Sequence, residues 1–317
     1  MTTDCFISID WGTSNVRIRL VQQPSLNILE EFAVSVGIKR MYDEWQKEGG
    51  SREAFFLRYL NKQIKRFKHP LYSSYQVVIS GMASASIGLR ELPYADLPFH
   101  ADGSGLYFEN IQTEIVPHLI VLISGVRSDS DVMRGEEVQL IGLINEGDKV
   151  GKSMFILPGT HSKHILCKDG VMVNFNTYMT GEIFQVMSRH SILKNSIAKG
   201  DLKGSELAAF DEGISRSLKQ LSILNELFSV RAYDLFKSKT KTENYYYLSG
   251  LLIGNELKTL LQQDFGKLKL CAGGNLFELY FRAVKKINLP VKAEVISKAE
   301  VDMAAVKGQW RLLQNIT

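Results

Sequence analysis

A carboxylate at the end of an apolar run meets a small polar turn near the start of the chain, where Asp10-Trp11-Gly12-Thr13-Ser14-Asn15 follows Phe6-Ile7-Ser8-Ile9. A carboxylate so placed can hold hydrated Mg²⁺ while backbone N–H groups and hydroxyls of the turn face phosphate oxygens. The same residue types are favoured in an ordinary hairpin, and this segment alone does not separate the two readings. A second turn, Pro158-Gly159-Thr160-His161-Ser162-Lys163, follows Phe155-Ile156-Leu157. It offers donors and a cation but no carboxylate, which suits the far side of a chain of phosphates. Ala272-Gly273-Gly274-Asn275 follows the short run Leu268 to Cys271. Paired glycines there let a planar group approach the backbone, or simply turn a strand into a helix. The adjacent acids Glu136 and Glu137 complete the set. Neighbours on a helix differ in direction by about 100°, so one acid faces the reactants while the other points out or caps; a plain pair favoured by the helix dipole is the alternative.

The elements that must position these residues read as strands and helices in alternation. Runs at Phe6–Ile9, Val16–Val21 and Leu26–Val36 alternate in the β manner. Ser51 is a fitting N-cap for a helix carrying Phe56, Leu60, Ile64 and Phe67, and Val77–Ile79 is a short strand. The opening pattern returns at Met154, so that the Gly-Thr pairs beginning at Gly12 and Gly159 lie 147 residues apart. A third strand through Val171 to Phe175, a helix from Glu182 to His190, a helical stripe of Phe210, Ile214, Leu218, Leu221, Leu224 and Phe228, and a helix from Tyr247 to Leu261 follow. The repeat is of domain size, and a helix over Glu136–Leu143 is expected to join two packed lobes, 1–140 and 141–317. The Tyr245-Tyr246-Tyr247 cluster reads as packing, and His190 as a helix cap.

Composition narrows the classes. With 317 residues, 45% hydrophobic and 23% charged, the chain has material for two cores and is neither disordered nor fibrous. A net charge of +4 without a basic run argues against nucleic acid as a partner. No apolar stretch approaches the roughly 20 residues that a bilayer requires. Thr2, Thr3 and Asp4 do not make a signal-peptide start, so a cytoplasmic protein is expected. Cys5, Cys167 and Cys271 lack metal-ligand spacing and read as buried small hydrophobes in a reducing compartment.

Phosphate turns opening each of two duplicated halves, with a Gly-Gly turn late in the second, resemble the actin, hexokinase and Hsp70 superfamily. Over most of its length the chain is similar to the 2-dehydro-3-deoxygalactonokinase family. The similarity is carried by Asp10–Asn15 with Arg17, Gly81-Met82, Pro93-Tyr94, Asp131-Val132-Met133-Arg134-Gly135-Glu136-Glu137, Leu157–Lys163, Thr177-Tyr178-Met179-Thr180-Gly181-Glu182 and His190–Leu193. Two departures stand out. Ala85-Ser86-Ile87-Gly88-Leu89, with Arg90 after it, replaces a Ser-Arg-Gln-Gly-Trp string, and His164 stands where tryptophan is usual. The first lies where the sugar acid is expected to be held.

The resemblance implies an α/β, two-lobed ribonuclease H-like fold of the actin/hexokinase type, with duplicated mixed sheets flanked by helices. It implies an ATP- and Mg²⁺-dependent kinase of sugar-acid catabolism, forming 2-dehydro-3-deoxy-6-phosphogalactonate by phosphorylating O6, with lobe closure excluding water. Asp10 is then the metal-side carboxylate, and Glu136, with Glu137 close behind, the base. Gly12, Thr13, Ser14, Asn15, Gly159, Thr160, His161, Ser162, Lys163, Gly273 and Gly274 are expected to bind ATP. Arg134, Arg90 and Met82 are expected on the sugar acid, although either arginine could instead form a surface ion pair. The expected partners are two small molecules, ATP and the sugar acid, with a homodimer left open. Two other readings remain: a polyphosphate or nucleotide phosphohydrolase, from Gly135-Glu136-Glu137, and an ATP-gated interaction protein, from the two-lobed pattern alone.

Overall fold

The computed structural model describes residues 5–219 and 222–316; Thr2, Thr3, Asp4 and Leu221, used above, lie outside them. The chain divides into two compact units, one of Met1–Val150, Lys168–Asn174 and Ala299–Thr317, the other of Gly151–Cys167 and Phe175–Lys298.

In the first unit, β1 (Cys5–Trp11), β2 (Val16–Gln22) and β3 (Ile28–Val34) form an antiparallel meander. Helices α1 (Ile38–Glu48) and α2 (Arg52–Ile64) lead into β4 (Val77–Gly81), which returns parallel to β1. The Ser51 hydroxyl accepts the Ala54 N–H and starts α2, whose Phe56, Leu60 and Ile64 are buried with Phe67 beyond the helix end. Short strands β5 (Ala95–Asp96) and β6 (Phe99–His100) precede β7 (Phe108–Ile111) and β8 (Ile120–Ile123). Then come β9 (Val126–Arg127), β10 (Val132–Met133) and helix α3 (Glu136–Leu143). The main sheet runs β3-β2-β1-β4-β8-β7. Its central strands β4 and β8 are buried throughout and read as continuous apolar runs, whereas the edge strand β3 alternates.

The second unit repeats the plan. Its strands are β11 (Lys152–Leu157), β12 (Ser162–Lys168), β13 (Val171–Tyr178), β14 (Lys267–Leu270) and β15 (Ala293–Val295), in the order β15-β14-β11-β12-β13. Strand β14 is parallel to β11 and β15 to β14. The start of β13 is counted with the first unit, where Val171 and Met172 pair with His100 and Phe99. Helices α4 (Thr180–His190), α5 (Gly204–Ser217), α6 (Ile223–Leu235), α7 (Lys241–Leu257) and α8 (Gly274–Ile287) complete this unit, and α9 (Lys298–Ile316) returns the chain to the first. Numbered within its own sheet, the second unit's strands read third, second, first, fourth, fifth from β13, and the first unit's read third, second, first, fourth from β3, with β8 and then the edge strand β7 beyond. The ribonuclease H-like sheet that the resemblance implies is therefore present twice.

Two expectations are corrected. The boundary at 140/141 would cut α3, which stays in the first unit because α9 packs on it: a Cβ at Gly142 would lie 1.9 Å from the Ala304 carbonyl oxygen, and one at Gly308 1.9 Å from that of Val138. The stripe from Phe210 to Phe228 is not one buried face. Phe210 and Ile214 are buried on α5, but Leu224 and Phe228 fall on the separate α6 and are 77% and 58% exposed. All three cysteines are buried, and none forms a disulfide. Among the described residues no helix is long and apolar enough to cross a membrane.

The α3–α9 crossing generates a test. Gly308→Ala should lower stability to denaturant by about 2 kcal/mol or more, since a methyl group has no room against a backbone carbonyl. Gly266→Ala, whose Cβ would meet only an ordinary 3.7 Å contact, should change it little; equal effects would contradict the packing account.

Candidate active site

The first unit gathers its chemistry at the carboxyl ends of β1 and β4. Asp10 pairs across the sheet with Arg17 on β2 and with Ser80 on β4. Burial pushes its carboxyl up, opposed by the nearby positive charges of Arg17 and Arg19. Beyond it the Gly12–Asn15 turn is held from one side only. Gly37, Ile38 and Lys39, at the start of α1, donate their N–H groups to the carbonyls of Ser14, Gly12 and Thr13 at 3.0, 3.0 and 3.2 Å. In a trans peptide the N–H points opposite to the C=O, so the N–H groups of Thr13, Ser14 and Asn15 face away from α1. Those of Thr13 and Ser14 have no hydrogen-bond partner among the described residues. A Cβ at Gly37 would lie 2.3 Å from the Thr13 carbonyl oxygen, so only glycine permits this backing.

Glu136 and Glu137 enter the same neighbourhood through backbone contact. A Cβ on Gly135 would come within 3.1 Å of Gly81 Cα, which sets the start of α3 against the end of β4. The acids then diverge, as neighbours on a helix must. Glu137 is buried and its carboxyl oxygens both lie 2.8 Å from the Gly135 N–H, while Glu136 is half-buried. Burial, reinforced by the Glu136 charge, raises the Glu137 carboxyl to about 8.

The expected acid-binding residues occupy other positions. Arg90 is gripped through Nε and one terminal nitrogen by Glu53, at 3.0 and 2.7 Å, and through the other by Glu109 at 2.6 Å. It is an ion-pair partner, the alternative reading given above. Arg134 is buried and donates to Ser84 Oγ and the Leu92 carbonyl, both at 2.8 Å, with Tyr94 stacked 3.9 Å from its guanidinium. Its fork is thus directed at the protein, and only Nε lacks a partner among the described residues. Met82 opens a short 3₁₀ turn and packs against the first unit's core. The unusual Ala85–Leu89 stretch folds on itself, with Gly88 N–H on the Ala85 carbonyl and Arg90 N–H on that of Ala83.

In the second unit, Thr160 and His161 stand exposed on the turn between β11 and β12. Glu182, at the start of α4, donates its N–H to the Thr160 carbonyl at 3.0 Å, and its carboxylate meets His161 Nε2 at 2.5 Å. This approach requires Gly181, where a Cβ would lie 2.5 Å from the Gly159 carbonyl oxygen. Two residues expected on phosphate turn inward instead. Ser162 is fully buried, accepting the Gly159 N–H and bonding the Tyr280 hydroxyl at 2.9 Å. Lys163 is also buried, its ammonium on Thr177 Oγ1 at 2.7 Å, rather than solvated at a strand end.

A cavity of about 660 Å³ adjoins this turn, lined by Gly159, Thr160 and Gly181 together with Phe184, Tyr245 and Leu276. Its size and largely apolar wall suit a planar organic ligand, and Gln185, Ser188 and Ser249 supply polar groups. Gly273 and Gly274 are exposed at the start of α8, with open space around both Cα positions. Periodicity did not show the wall, because α4, α7 and α8 contribute to it from segments far apart in sequence. Tyr245 was the available signal: its hydroxyl-bearing neighbours Tyr246 and Tyr247 are buried, and it lines the cavity. Among the described residues no group of three or more His, Cys, Asp or Glu side chains is placed to hold a metal.

The Glu137 environment predicts a pH dependence. Between the ordinary glutamate value of 4.5 and about 8 only the folded chain keeps the proton, so this group's contribution to stability falls as pH rises through that window. Glu137→Gln removes the titration. Its stability relative to the parent, measured by denaturant unfolding, should climb between about pH 5 and pH 8; parallel curves would contradict a buried, proton-retaining Glu137.

The sequence model of the 2-keto-3-deoxy-galactonokinase family matches residues 10–312. The chain is 30% identical over 298 residues to a probable 2-dehydro-3-deoxygalactonokinase of Rhizobium meliloti (strain 1021), covering 92% of each. It is 29% identical over 294 residues to the 2-dehydro-3-deoxygalactonokinase of Escherichia coli (strain K12), covering 91% of this chain and 92% of that one. The crystal structure of a putative 2-dehydro-3-deoxygalactonokinase protein from Sinorhizobium meliloti superposes with a TM-score of 0.81 at 29% identity, over 98% of this chain and 99% of that chain. The match takes in the Gly12–Asn15 and Gly159–Lys163 turns, and the chain belongs to the 2-keto-3-deoxy-galactonokinase family of phosphotransferases.

Proposed function

We propose that the chain transfers the terminal phosphoryl group of Mg·ATP to O6 of 2-dehydro-3-deoxy-D-galactonate in the cytoplasm. The family match across residues 10–312 carries this reading, and three buried cysteines outside any disulfide accord with a reducing compartment. Membership of a kinase family favours neither the phosphohydrolase nor the interaction protein.

The roles follow from the donors each unit offers. The outward N–H groups of Thr13, Ser14 and Asn15 are fixed donors for phosphate oxygens, and because α1 holds their peptides they need no reorganisation as charge develops. Thr160 and His161 offer donors from the second unit, and the cavity beside them takes the adenosine, with Gly273 and Gly274 at the head of α8. A single carboxylate is enough to hold Mg²⁺ when phosphates and water fill the other positions, and Asp10 is that carboxylate. Bound there, the ion would neutralise charge on the phosphates.

The acceptor hydroxyl must lose its proton as the new O–P bond forms. Glu136 is the base, because Glu137 retains its proton near neutrality and is spent on the Gly135 N–H. Glu137 instead fixes the turn that presents Glu136. Met82 and the turn that follows it border the acceptor, and Arg134 braces that turn through Ser84 and Leu92.

The decisive measurement is ADP release with each of the C4-epimeric 2-keto-3-deoxy acids at saturating Mg·ATP. Turnover with the galactonate-derived acid is expected; none with any of them would refute the proposal. Asp10→Asn should abolish transfer with the fold intact. Glu136→Gln should lower kcat by about 10²- to 10⁴-fold with little change in the KM for ATP, and near-normal kcat would remove it as base.

A further inference from the structure

We propose that Glu256, which belongs to neither phosphate turn, is a positioning residue that sets the second one through Tyr280 and Ser162. The inference deepens the kinase reading and rests on it for the identity of the ligand at that turn.

The argument is one of proton counting. Glu256 lies on α7, 2% exposed, and a carboxylate can only accept. One oxygen receives His164 Nε2 at 3.0 Å and the other the Tyr280 hydroxyl at 2.8 Å. Tyr280 has a single proton, and Glu256 takes it. The 2.9 Å contact between Tyr280 and Ser162 must then be filled by the serine proton. Ser162 is left with lone pairs only, and the Gly159 N–H points at them from 3.4 Å. The direction of every bond is thus fixed from Glu256 outward, and the chain ends on the backbone of the phosphate turn.

Burial and the Glu256 charge push the Tyr280 hydroxyl well above its ordinary range, so it remains a donor. The other face of the turn is held by α4, where Glu182 takes the Thr160 carbonyl. Gly159 is pulled inward on one side and Thr160 is anchored on the other, which leaves the Thr160 side chain on the open face. His164 supports the carboxylate at a cost: using Nε2 as donor leaves its Nδ1 buried without a partner among the described residues, against the Tyr178 ring at 4.4 Å.

The test is equilibrium binding of Mg·ATP, with steady-state kinetics beside it. Glu256→Gln replaces one of two acceptors by a donor, so either His164 or Tyr280 loses its partner, and Glu256 does not itself line the cavity. It should weaken ATP binding roughly five- to tenfold and raise the KM for ATP equally, leaving the KM for the acid unchanged. A merely structural role would lower the melting temperature or the active fraction without moving ATP affinity, and that result would overturn the proposal. Tyr280→Phe and Ser162→Ala remove single hydroxyls and carry the test should Glu256→Gln not fold. Their double variant should bind ATP no more weakly than the worse single one, because both break the same chain; additive losses would also overturn it. If the parent binds Mg·ATP and these effects appear but no keto acid is phosphorylated, the functional reading fails and the positioning role stands. A parent that does not bind Mg·ATP refutes both.

Discussion

The parallel pairing of β1 with β4 is the contact on which the first unit's chemistry depends. It sets Asp10 opposite Ser80 and Trp11 opposite Gly81. Side chains alternate along a strand, so Cys5, Ile7, Ile9 and Trp11 all enter one apolar core while Phe6, Ser8 and Asp10 take the other face. A slip of one residue would drive the carboxylate into that core and turn the isoleucines out, a penalty that fixes the register more firmly than any single hydrogen bond. Gln309 on α9 reinforces it, donating to the Ile9 carbonyl and to Ser80 Oγ at 2.9 Å each. Because Gly81 ends β4 and Gly135 rests against it, the same register that places Asp10 also places Glu136.

Three carboxyl groups withdrawn from water are handled in three ways, and each treatment fits a different task. Asp10 keeps two arginines nearby, which oppose the effect of burial without cancelling it. At Glu137 burial and the Glu136 charge outweigh the Gly135 N–H and the Arg134 charge, so it holds its proton to about pH 8, which makes it a neutral brace. Glu256 is bonded through both oxygens, to His164 and to Tyr280, and so acts as the fixed end of a chain of donors. Burial alone raises a carboxyl; the charges and donors around it decide how far.

The turns and the duplication were legible because they depend on local residue type. Asp10–Asn15 and Gly159–Lys163 carry small polar residues between apolar runs, and the offset between Gly12 and Gly159 reflects two sheets of one topology. What was not legible depends on direction and distance. Ser162 and Lys163 look like open donors in a polar string, yet β12 begins at Ser162 and turns both inward. Arg90 and Arg134 are single letters whose partners, Glu53, Glu109, Ser84 and Leu92, lie 19 to 50 residues away, at separations that no periodicity encodes. The helical stripe to Phe228 failed for a related reason: spacing shows which residues share a face, not whether another element covers it.

The last helix has a consequence for how the chain is made. Residues 299–317 complete the first unit, while residues 175–298, which form most of the second, precede them in synthesis. The first unit's sheet therefore waits, without α9 against it, until the second unit has been translated. Trp310 reaches Phe6 across some three hundred positions, the kind of distant closure that slows folding and leaves apolar surface uncovered meanwhile. During that interval the second unit can close on its own contacts, so the order of completion is the reverse of the order of emergence.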